Sequence, residues 1–215
     1  MLIFEPDVTL TDYVLFAQCG FFSLILLNRI RDGDGNKISA LFAALFASLA
    51  LASVLGGTYH GFFSEAHSWL GDVLWLSTLL AIGFVSFFNW LVAAQLQLTQ
   101  PMFRRVFWIA AIQLLVYAVY VIFVSREFFT ASINAVPAMI FLFVGYARLI
   151  REGIGRPGWL GIAGIITAFA GAIMQQMNIG IHPDYFSHNA LYHVVQFSAF
   201  ALLFASVRGV EKHRG

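Results

Sequence analysis

Five of the six histidines fall at one end of the helix bundle when the chain's long apolar segments are read as helices. His60 closes the second segment, His67 and His182 lie in connections, and His188 and His193 open the seventh. Asp12 sits in the first turns of the first segment and Asp72 opens the third. Gln175, Gln176 and Asn178 close the sixth, all at this same end. Neutral imidazoles with a carboxylate nearby are suitable zinc ligands and supporting groups. A catalytic zinc keeps three protein ligands and one water. The metal brings the pKa of that water towards neutrality, and a neighbouring carboxylate can orient a ligand histidine or accept a proton.

The spacing sharpens the set. Asn189, His193 and Gln196 stand at i, i+4 and i+7, one stripe of a helix. Ser53, Gly56, Gly57 and His60 share roughly one side of the second segment, where small residues allow close helix approach or leave a cavity. Ionisable groups at membrane depth are costly and line interior sites, and His60, Asp72 and His193 are the strongest cases. Structural roles compete. His67 and His182 are loop residues, and His188 is placed to face water. Asp12 and Asp72 suit the positive end of a helix dipole, and Gln175 and Gln176 suit interhelical hydrogen bonding.

The elements that position these residues follow from composition. Of the 215 residues, 60% are apolar and 11% are charged, with 23 phenylalanines. So few charges cannot cover a soluble domain, which excludes an ordinary soluble protein, a disordered chain and a nucleic-acid binder. The chain reads as one all-α domain, a seven-helix transmembrane bundle. Its spans are at about 9–28, 38–60, 70–96, 103–124, 128–150, 158–178 and 188–208. The single cysteine, Cys19, allows no intrachain disulfide. The first residues lack the basic region of a signal peptide.

With seven spans, one side holds Arg29, Arg31, Lys37, Arg104, Arg105, Arg148, Arg151, Arg156, Arg208, Lys212 and Arg214, and the other holds only Arg126. The positive-inside rule then puts the C-terminus in the cytoplasm and the N-terminus, with the histidine cluster, outside. No sorting tail is evident, so a bacterial inner membrane is expected.

These features resemble the alkaline ceramidase and progestin/adipoQ receptor (CREST) superfamily of seven-span membrane hydrolases. The resemblance covers the whole architecture and rests on few residues: His60 in GGTYH, Asp72 in LGD, and His193 in SHNALYH. It implies a zinc-dependent hydrolase that cleaves an amide bond in a lipid. His60, His193 and His188 would be metal ligands, and Asp72 the catalytic carboxylate. Ser53, Asn189, Gln196 and Gln175 would be supporting or substrate-contacting residues. The chain departs from the family pattern where a serine gives way to Gly56 and the first histidine of the last helix to Asn189. His188 and His193, five apart, are about 140° apart around a helix. His182 or Asp72 is an alternative third ligand. Glu5, Asp7 and Asp12 are a weak counterpart of the family's acidic, calcium-linked N-terminal stretch.

The competing reading is a non-enzymatic lipid-binding or sensing protein with a degenerate metal site, which Gly56 and Asn189 favour. A transporter would need polar residues reaching the far side, where helices 2, 6 and 7 are almost wholly apolar. A retinal protein needs a lysine in its last span, and Lys37 and Lys212 lie outside the bilayer. A haem between His60 and His193 would show itself by absorbance.

Overall fold

The computed structural model describes residues 3–65, 68–183 and 185–214. Seven helices are present among them: α1 Pro6–Arg31, α2 Lys37–Phe62, α3 Trp69–Gln97, α4 Gln100–Phe123, α5 Phe128–Arg151, α6 Gly155–Gln176 and α7 His188–Arg214. Each is long and apolar enough to cross a membrane. Helices are the expected solution, because lipid offers no partner for an open strand's backbone.

All seven spans lie where the hydropathy puts them, and several run further. The polar stretch 29–37 lies between the first two expected spans, yet Arg29 and Arg31 complete α1. The helix continues past the apolar span because basic residues suit its C-terminal dipole. It stops at Gly33, whose φ of 82° closes the end as an L side chain rarely could. Gly153 does the same after α5 with φ 87°. Pro6 and Pro101 open α1 and α4, where the missing N–H costs nothing. At the seventh span the helix also takes in the charged tail, through Arg214.

Six helices form a ring in the order α1, α2, α3, α5, α6, α7, and α4 packs against the outside of α3. The main core fills the end of the ring away from the histidines, around Phe42, Phe46, Leu142, Tyr146, Leu149 and Val207. Side-chain hydrogen bonds join the helices. Ser23 donates to the Ala43 carbonyl at 2.9 Å, and the Tyr146 and Ser206 hydroxyls meet at 2.7 Å. Pro137 interrupts α5 and removes one backbone donor. One turn earlier, the Asn134 carbonyl accepts from Ser86 Oγ on α3 and from Gln113 Nε2 on α4.

An ion pair also ties the ring at this end. Arg29 Nη1 lies 2.6 Å from Glu211 Oε2, with the glutamate side chain 6% exposed. Removing one partner of such a pair leaves a poorly solvated charge. Because Arg29 retains some solvent, we expect Glu211→Ala to cost about 2 kcal/mol, measured by denaturant unfolding in detergent.

Candidate functional site

At the other end of the ring the helices enclose a polar cavity of about 150 Å³. Its position follows from glycines on α2. A Cβ on Gly57 would stand 2.9 Å from Asp12 Cβ, and one on Gly61 would stand 2.9 Å from Thr9 Oγ1. With hydrogens there, α1 lies close against α2 and carries Asp12 into the interior. A side chain at Gly56 would meet Asp12 Oδ2 at 3.3 Å. The bare Gly56 thus leaves room beside α2 for the Asp12 carboxylate.

His193 reaches the cavity from α7. Its Nδ1 is 3.0 Å from Thr11 Oγ1 and its Nε2 is 3.4 Å from Asp12 Oδ1. The Thr11 hydroxyl also faces the Asp7 and Val8 carbonyls at 2.8 and 3.0 Å, and it has one proton to give. His60 reaches the cavity from α2, with Nδ1 3.0 Å from Glu5 Oε1. Burial raises the Glu5 pKa, but hydrogen bonding and charge attraction from His60, with help from Ser64, outweigh it. The net shift is below the ordinary glutamate value.

The supporting residues read from the sequence converge. Ser53, Gln175, Asn189 and Gln196 all line the cavity with His60 and His193. Gln175 Nε2 donates to Asn189 Oδ1 at 3.1 Å, and Gln196 Nε2 donates to the Ala168 carbonyl at 3.0 Å. Two expected members lie elsewhere. Asp72 is exposed in the first turn of α3 and is not among the residues that line the cavity. His188 faces a separate hollow in the 178–188 loop beside His182 and Ser187. Five residues of regular helix turn it away from His193, so the expected third ligand does not join the other two. His67 lies outside the described residues.

No group of three or more His, Cys, Asp or Glu side chains that could hold a metal ion occurs among the described residues. Two imidazoles share the cavity, and each has a carboxylate partner. The donor set therefore does not fit the three-ligand zinc centre the sequence led us to expect. Elemental analysis of protein purified without chelators should find zinc well below one per chain, and a stoichiometric content would overturn this assignment.

Sequence reading left Asp12 out of the site and missed Thr11, Trp75, Thr78, Phe128 and Tyr192, of which all but Thr11 line the cavity. An acid within an apolar span was the available signal for Asp12. The aromatics carried none, in a chain with 23 phenylalanines.

Below the polar cavity lies an apolar chamber of about 370 Å³. The two share Leu49, Ile82, Phe128, Tyr192, Gln196 and Phe200, so they lie directly against each other. The chamber's lining reaches the exposed residues Phe129 and Ile133 on α5 and Ile173 and Met177 on α6. It therefore opens sideways between these helices. They touch at their far ends, where Gly158 meets Ile150 and Gly161 meets Tyr146, and separate towards the cavity.

No curated protein and no solved structure matches the chain. A family model does match, over residues 8–212, and the chain accordingly belongs to DUF6962, a family of unknown function.

Proposed function

We propose that this protein binds a lipid of its own membrane, as a binding or sensing module without a catalytic metal centre. The observation that supports this reading is the adjacency of a polar cavity and an apolar chamber that opens between two membrane-facing helices. The apolar part would hold an acyl or alkyl chain by burial, and the polar groups would orient a head group. The strong bias of basic residues supports an orientation with the cavity at the outer face of a bacterial inner membrane. Native mass spectrometry of protein released from mild detergent tests the reading. A lipid adduct that survives detergent exchange is expected, and a chain that never carries or takes up lipid would refute it.

Hydrolysis of a lipid amide is a second reading, favoured by His60, His193 and Asp12 meeting in one cavity. Incubating the purified protein with an N-acyl lipid, with and without added zinc, separates the two. Release of fatty acid that is lost in His193→Ala would make the protein a hydrolase.

A further inference from the structure

The carboxylate and imidazole side chains that line the polar cavity are Asp12, His60 and His193, and His60 is set against Glu5. No lysine or arginine lines the cavity or the chamber beneath. Its one lining carboxylate, Asp12, is 6% exposed and lies within an apolar span. Among the described residues that carboxylate forms no hydrogen bond, and its one ion-pair contact is His193 at 3.4 Å. A buried carboxylate so poorly partnered calls for a cation or a strong donor.

The surroundings suit one kind of cation. The Thr78 hydroxyl donates to the Leu74 carbonyl at 2.9 Å, so its oxygen is left as an acceptor. Ser53 lies alongside on α2. Trp75 is fixed in place by donation from Nε1 to the Arg126 carbonyl at 2.8 Å, and Tyr192 supplies a second aromatic ring. Carboxylate, hydroxyl oxygens and aromatic faces are what an ammonium group binds. A phosphate or carboxylate head would face Asp12, and the bases it would find are His60 and His193, each already set against a carboxylate.

We propose that the cavity takes the primary ammonium head of a single-chain lipid amine, with Asp12 as its counter-ion and the chain in the apolar chamber. This rests on the lipid-binding reading above and adds the head-group class. The small polar volume sets the limit on the head, and the lateral opening between α5 and α6 admits the chain.

The test uses the full-length protein in neutral maltoside micelles at pH 7, with three chain-matched probes: dodecylamine, dodecanol and dodecyl phosphate. Dodecylamine should bind about tenfold more tightly than dodecanol, the scale of a charge-assisted hydrogen bond, and dodecyl phosphate should bind most weakly. In Asp12→Asn the amine's advantage should fall to about twofold or less. If that variant does not fold, the ranking of the three probes on the wild-type protein decides alone. Equal binding of amine and alcohol, or preference for the phosphate, would overturn the head-group assignment and leave lipid binding standing. Failure of all three probes, together with a lipid-free mass spectrum, would remove the lipid-binding reading itself.

Discussion

Gly161→Ala is expected to destabilise the protein by about 3 kcal/mol, the sum of an overpacked core and a lost buried hydrogen bond. Gly161 on α6 faces the ring of Tyr146 on α5, and an added Cβ would overlap that ring. The ring has nowhere to move. Tyr146 is fully buried and its hydroxyl is held by Ser206 on α7. Ser206 in turn donates to the Leu203 carbonyl at 2.6 Å. The methyl group must therefore push α6 from α5 or break the Tyr146–Ser206 contact. Denaturant unfolding in detergent measures the loss. Tyr146→Leu in the same chain should recover part of it, because residues in contact are not additive. A Gly161→Ala protein as stable as wild type would show that α5 and α6 are not packed through this contact.

Ala172→Trp is expected to weaken single-chain lipid binding by at least about tenfold while the protein remains folded, since a filled chamber forfeits chain burial worth about 0.8 kcal/mol per methylene. Ala172 lines the apolar chamber from α6, away from the Tyr146 contact. An indole there would occupy the volume that the proposed chain needs. The measurement is titration with dodecylamine, alongside unfolding as a control. Unchanged affinity would place the chain elsewhere on the molecule and refute the chamber as its site.

The residues differ in how far they could be read in advance. His60 and His193 were legible because each is an ionisable group inside a hydrophobic run. Ser53, Asn189 and Gln196 followed from helical spacing alone, and all reach the cavity. Asp72 looked like a site carboxylate for the same reason as Asp12. Which of two acids turns inward depends on the rotation of α1 and α3 about their own axes, and that rotation is set by neighbours. Gly57 and Gly61 decide it for α1 by admitting Thr9 and Asp12 against α2. His188 was near enough to His193 in sequence to suggest a pair, but regular helix geometry at the start of α7 carries it to the loop hollow.

From its own residues the chain determines a seven-helix membrane architecture, because twenty-residue apolar runs in lipid have one way to satisfy their backbone. It also determines that five histidines collect at one end and all lysines and arginines but Arg126 at the other, since their placement follows directly from span order. The tertiary structure alone decided which of those residues meet. It set His60 against Glu5 and His193 against Asp12, turned Asp12 into the interior beside Gly56, and laid the polar cavity against an apolar chamber between α5 and α6. These outcomes rest on contacts between residues as far apart as Asp12 and His193. Such contacts come from the way side chains of different helices interlock, and no local pattern encodes them.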